Sequence, residues 1–137
     1  MKLALARQIL DATLAAAHAR KFQPLAVVVL DARGAIRAAL SEDGTSTKRV
    51  EIALGKANGA VAMGIGSRDI ATRPAHFLAG VTHAVGGMLV PVPGGVLVRD
   101  ASGEIIGAVG VSGDTSDNDE AAAIGGITAS GLVADGG

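Results

Sequence analysis

At 137 residues the chain has room for one hydrophobic core, which at this size buries about 70% of the surface its unfolded form would expose; a second core is excluded. Lys and Arg number 12 against 13 Asp and Glu, and the formal net charge of -1 excludes a general attraction to phosphate backbones or anionic lipid. Phe22 and Phe77 are the only aromatics and Cys is absent, which removes base-stacking platforms, disulfides, thiolate metal sites and cysteine nucleophiles and suits a reducing compartment.

Leu3, Ala6, Leu10, Thr13 and Ala17 recur at three- and four-residue steps, which predicts a first helix running to about residue 20 with one stripe against a core. Arg7, Asp11, His18 and Arg20 interrupt any continuous apolar stretch, so this segment reads as a helix and not an export signal, and the expected location is the cytoplasm. His18 falls near the helix end, where a basic ring complements the dipole. Residues 25–31 are apolar and β-branched, and Asp31-Ala32-Arg33-Gly34 supplies a turn whose Gly tolerates positive φ before a second strand at 35–40. Residues 46–64 predict a helix with Ser46 or Thr47 as N-cap and Val50, Ala53, Ala57, Ala60 and Val61 as its apolar stripe. Side chains this small mean that something approaches the helix backbone closely. Gly64-Ile65-Gly66 stops the helix; no strand leads into it, so it is not a dinucleotide fingerprint.

Residues 74–98 carry no Asp, Glu, Lys or Arg and are long enough to span a membrane, but three prolines, five glycines and two histidines inside the stretch argue against a span. The expectation is a buried, loop-rich segment wrapped around something apolar. Val98, Asp100, Ala101, Gly103, Ile105 and Ala108 then repeat the spacing of Val29, Asp31, Ala32, Gly34, Ile36 and Ala39 without gaps, which predicts a second hairpin with the same turn chemistry. Two such units are too few for a stacked repeat architecture. Beyond Gly113, the capping residues from Asp114 to Glu120 open a last helix to about Leu132, with Asp117 and Glu120 at capping-box spacing. Gly125, Gly126 and Gly131 each cost about 1 kcal/mol relative to Ala in a helix interior, so tight packing on another backbone is expected, within the subunit or across an oligomer interface. Turns this short cannot make parallel crossovers. The chain therefore reads as a single α/β (α+β) domain over residues 1–137, with an antiparallel sheet of about five strands flanked by helices.

The turn Val29-Leu30-Asp31-Ala32-Arg33-Gly34, the helix segment Ala53-Leu54-Gly55-Lys56-Ala57 and the loop Gly94-Gly95-Val96 are followed by the strand Gly107-Ala108-Val109-Gly110-Val111-Ser112-Gly113 and the helix opening Asn118-Asp119-Glu120. These pieces stand in the order found in the GlcG/HbpS family, which the chain resembles over nearly its whole length. The most specific of them is the Gly107 to Gly113 strand followed by Asp119-Glu120. The resemblance implies a profilin-like domain of order α-β-β-α-β-β(-β)-α, dimers or larger assemblies, and haem or a related tetrapyrrole as ligand. Haem-degrading proteins, the C-terminal part of PduO and proteins encoded with glycolate-utilisation enzymes belong to the same family. Arg49 stands where that family usually has Ser, Gly59 where Thr is common, and Leu97 where Pro usually follows the glycine loop.

Lys56 lies beside small residues on its helix; it is either a pocket group that pairs with a haem propionate or another carboxylate, or a solvated surface lysine. Ser112 and Gly113 lead into a helix N-terminus whose free amides suit a carboxylate, while Asp114, Asp117, Asp119 and Glu120 already bring negative charge there. Asp119 and Glu120 serve capping and subunit contact or act as acid and base; the oxygen ligands that a hard metal needs are missing. His18, His76 and His83, with Met1, Met63 and Met88, are the good haem-iron ligands, and on a helix His76 and His83 share a face. No nucleophile elbow, P-loop or zinc-binding histidine pair occurs.

The sequence thus reads as a small-ligand-binding protein, with haem the ligand that the resemblance implies. Its pocket is expected between the Lys56 helix, the 91–98 loop with Gly94 and Gly95, and the Ser112-Gly113 turn, with Asp119, Glu120, His76 and His83 as further contacts. One alternative is an enzyme that holds a small carboxylated metabolite on Lys56 and moves a proton with His83 or Glu120. Another is an oligomeric accessory subunit, motivated by the Gly/Ala-rich last helix. The expected partners are a small molecule and further copies of the chain, not nucleic acid or membrane.

Overall fold

In the computed structural model, which describes residues 1–137, the chain forms α1 (Leu3–Ala19), β1 (Ala26–Asp31), β2 (Ile36–Ser41), α2 (Arg49–Met63), α3 (Ser67–Ile70), α4 (Ala75–Ala84), β3 (Gly95–Arg99), β4 (Ile105–Ser112), α5 (Ser116–Ala129) and β5 (Val133–Asp135). The strands make one sheet in the order β2-β1-β4-β3-β5, with every neighbouring pair antiparallel. β1 is buried at each of its positions because helices cover both faces of the sheet. Val27, Val29, Val96, Val98, Val109 and Val111 point toward α1 and α5, where Ile9, Leu10, Ala123 and Ile127 complete the larger core. Val28, Leu30, Leu97 and Ala108 point the other way, onto Ala53, Ala57 and Ala60 of α2.

The two hairpins share one turn, as their matched spacing predicts. Asp31 Oδ1 accepts the amides of Arg33 and Ala35 at 3.0 and 3.1 Å, and Asp100 Oδ1 accepts those of Ser102 and Glu104 at 2.8 and 3.1 Å. Gly34 and Gly103 take the left-handed conformation, with φ of 79° and 89°, and the register shifts beside each turn, the signature of a hairpin closed by a glycine bulge. Bonds to the Arg33 amide and to the Ser102 hydroxyl contribute most to holding the Asp31 and Asp100 carboxyls below their ordinary range.

Close backbone packing explains the small residues. A Cβ on Gly110 would lie 2.8 Å from the Ala53 carbonyl carbon, and one on Gly95 would lie 2.6 Å from that of Lys56. On a neighbouring side of α2, Gly55 and Gly59 receive the side chains of Val90 and Leu89. What approaches α2 is therefore its own sheet and the 89–90 segment. Gly126 of α5 rests on α1, where an added Cβ would come 2.6 Å from Thr13 Cα, so this glycine serves a contact inside the chain.

Several expectations are corrected. The charge-free stretch is not a buried loop: α4 has no buried residue, Phe77 and Met88 are 40% and 39% exposed, and burial begins only at Leu89. Pro74 opens this helix with an extended backbone, but no strand or helix of the chain packs on it. The fifth strand follows the last helix instead of preceding it; three residues long, β5 pairs with β3 at the sheet edge. α2 begins at Arg49, after both Ser46 and Thr47, and has no side-chain cap. α5 is capped by Thr115, whose Oγ1 accepts the Asn118 amide at 3.2 Å; Asp117 therefore lies inside the helix and forms no capping box with Glu120, whose carboxylate Arg68 holds. No helix is long and apolar enough to cross a membrane.

Candidate functional site

Lys56 is neither a surface group nor the wall of a cavity. The side chain is 2% exposed, and Nζ donates to Asp119 Oδ2 at 2.8 Å and to the Val111 carbonyl at 2.9 Å. Asp119 Oδ1 accepts the Asp114 amide at 3.0 Å, so one buried carboxylate joins the start of α5 to α2. Burial pushes the Lys56 ammonium down and the Asp119 carboxyl up, each toward its neutral form, while their mutual bond opposes both shifts. Gly94, with φ of 118°, lies so close that a Cβ would stand 2.8 Å from Lys56 Nζ. The Gly95 amide donates to Ser67 Oγ at 2.7 Å, and Ser112 Oγ accepts from Arg49 Nη1 at 3.2 Å. Glu120 belongs to a separate ion pair, accepting from Arg68 Nε and Nη2 at 3.0 and 2.7 Å.

The sequence-nominated Lys56, Gly94, Gly95, Ser112 and Asp119 thus meet at one place. They meet as packed interior, because Asp119 supplies the counter-ion that a ligand would otherwise bring. Neither concavity of the structure is lined by Lys56 or by the 91–98 loop. His76 and His83 are exposed on α4 and line neither of them. No cluster of His, Asp and Glu is arranged to hold a metal ion.

The larger concavity, about 530 Å³, opens between the end of α1 and the end of β2, with Leu14, His18, Phe22, Pro24 and Leu40 as walls and Ser41, Glu42 and Asp43 at its edge. α1 presents Leu14 and His18 one turn apart on the same face. His18 Nε2 bonds to Glu42 Oε1, and Glu42 Oε2 accepts the Leu25 amide at 2.7 Å. Glu42 therefore fixes the imidazole, and with the proton assigned to Nε2 the lone pair of the neutral ring resides on Nδ1. The smaller concavity, about 210 Å³, is polar and includes Gln23, Thr45, Ser46, Arg49 and Gly113.

The model of the family described as haem-degrading protein HbpS-like matches residues 1–133. The chain belongs to the HbpS-like family. No curated protein matches it. Among solved structures, the HbpS-like chain is similar to PduOC in its complex with haem, at 25% identity over 96% of both chains and a TM-score of 0.83. The ORFY protein of Klebsiella pneumoniae is 26% identical over 96% of this chain and 90% of that one, with a TM-score of 0.83. A double mutant of HbpS from Streptomyces reticuli is 25% identical over 94% of this chain and 86% of its own, with a TM-score of 0.80.

Sequence reasoning placed His18 at the end of α1 but not at a concavity, because Leu40 and Glu42 approach it from 22 and 24 positions away in the chain. Leu14 and His18, four residues apart and followed by Phe22 and Pro24, were the available signal: an apolar and imidazole pair on a helix face otherwise rich in charge. Arg68, which binds Glu120 and Asp117, leaves no such trace.

Proposed function

We propose that this HbpS-like protein binds haem in the concavity over the last turn of α1, with His18 as the iron ligand. The observation that carries this reading is the coincidence of a histidine and apolar walls at one concavity whose volume falls within the usual range for small-ligand sites. The residues fit the group: Leu14, Phe22, Pro24 and Leu40 suit the apolar macrocycle, and Glu42 holds one ring nitrogen of His18, as a carboxylate commonly orients a histidine whose other nitrogen binds a metal. Arg20, whose guanidinium lies 6.0 Å from the Phe22 ring, supplies a cation for a propionate. Haem would bring its redox-active iron. The complex of PduOC with haem supports the ligand class. A carboxylate-holding role for Lys56 finds no support, since Asp119 occupies its ammonium.

Titration with haemin tests the reading. The expected result is a saturable Soret shift at one site per subunit that His18→Ala abolishes and that His76→Ala and His83→Ala retain. A linear, non-saturating rise, or an unchanged titration of His18→Ala, contradicts it. We also infer self-association through α4, because an uncharged helix with exposed Phe77, no buried residue and no packing partner in its own chain leaves apolar surface for another copy. Light scattering should give an oligomer that Phe77→Glu disrupts; a monomeric parent protein contradicts this inference.

A further inference from the structure

We propose that the smaller concavity is a second ligand site, which takes a small monocarboxylate on Arg49. The hollow of about 210 Å³ has no hydrophobic side chain in its lining apart from the Pro24 ring. Arg49 reaches it from the first turn of α2 and forms no ion pair; its one side-chain bond uses Nη1, which donates to Ser112 Oγ at 3.2 Å.

Four acidic groups on the elements around it are already engaged, and Asp43, which precedes Gly44 of the lining, forms no ion pair with Arg49. Asp119 pairs with Lys56, Glu51 with Lys48 and Glu120 with Arg68. Asp114 accepts the amides of Gln23 and Thr115, both at 2.7 Å, and the Asn118 side-chain amide at 2.9 Å. Arg49 therefore has no direct ion-pair partner within the chain, and its field reaches both members of the buried pair.

The charge sets the ligand class. One guanidinium faces the hollow together with uncharged donors, the Ser46 hydroxyl and the side-chain amide of Gln23, and the Asp114 carboxylate, which holds the Gln23 backbone amide, stands beside them. A single negative charge matches this set; a doubly charged phosphate would meet Asp114 with too little positive charge to compensate. Nε and Nη2 of Arg49 offer parallel N–H donors, the fork that a carboxylate accepts with both oxygens. His18 does not line this hollow, and Pro24 is the only residue common to the two concavities. The inference is thus independent of haem binding.

Two-dimensional 1H–15N NMR of the full chain, titrated with sodium acetate and separately with inorganic phosphate at constant ionic strength, provides the test. Acetate should produce saturable shifts at the amides of Gly44, Ser46 and Gly113 and at Arg49 Nε, and R49Q should weaken that binding about tenfold or more. R49K, which keeps the charge and loses the fork, should weaken it less and serves as the comparison if R49Q fails to fold. Haemin titration of both variants should match the parent protein. Absence of saturable acetate shifts at these positions overturns the proposal, as does equal acetate affinity in parent and R49K proteins if R49Q does not fold, or in parent and R49Q proteins if it does. Tighter binding of phosphate than of acetate overturns the carboxylate assignment.

Discussion

Asp119→Asn isolates the charge of the buried pair while keeping its shape. Lys56 Nζ would retain the Val111 carbonyl at 2.9 Å but lose its counter-ion at 2.8 Å, and the side chain is only 2% exposed. Removing one partner of such a pair costs about 3–5 kcal/mol, against a total stability of about 5–15 kcal/mol for a domain. Urea unfolding followed by circular dichroism should show this loss as a lower midpoint at unchanged slope. The combined Lys56→Met and Asp119→Leu replacement removes both charges, leaves the Asp114 amide without its acceptor at a cost of about 1–3 kcal/mol, and should be far less damaging than the sum of the single changes. The pH dependence has a definite sign. In Asp119→Asn the folded-state Lys56 falls further below its unfolded value of 10.5, so the unfolded chain binds more protons between the two values and stability recovers as pH rises through that interval. A loss below about 1 kcal/mol at neutral pH, or strict additivity in the double variant, would refute the account of this pair.

Gly126→Ala forces a methyl group to within 2.6 Å of Thr13 Cα and should cost about 1–3 kcal/mol by overpacking, read as a lower melting temperature. Thr115→Ala removes the cap of α5 and should cost about 1 kcal/mol, measurable in the same urea assay. The Gln23 amide bond contributes most to holding the Asp114 carboxyl below 3.8, so its contribution is fully present above the unfolded value and is lost as pH falls through the lower folded one. Acid unfolding of Asp114→Asn should therefore be shallower than that of the parent protein below pH 3.8.

The hairpins were legible because an Asp and a Gly at fixed offsets write a turn locally, and both turns form as their matched residues require. The stripe of α1 was legible for the same reason: Ala6, Leu10, Thr13 and Ala17 lie in the core at the spacing read from the chain, whereas Leu3, in the first turn, is 51% exposed. The Lys56 environment was not. Local pattern marked it as close to small residues, but its partner Asp119 lies 63 positions away, and only the sheet decides whether a glycine-lined space is a cavity or a contact. α4 misled because apolar composition without periodicity says that a segment avoids charge, not what covers it. β5, at three residues, is too short to carry alternation.

The larger concavity, not the Lys56 cluster, is the place where haem binding is proposed, and the paramagnetism of ferric haem separates the two. In a 1H–15N spectrum of the haemin complex, the amides of Leu14, His18, Phe22 and Leu40 should broaden most, while those of Lys56, Gly95 and Asp119 remain sharp. Broadening centred on Lys56 and Gly95, with His18 and Leu40 unaffected, would contradict the account.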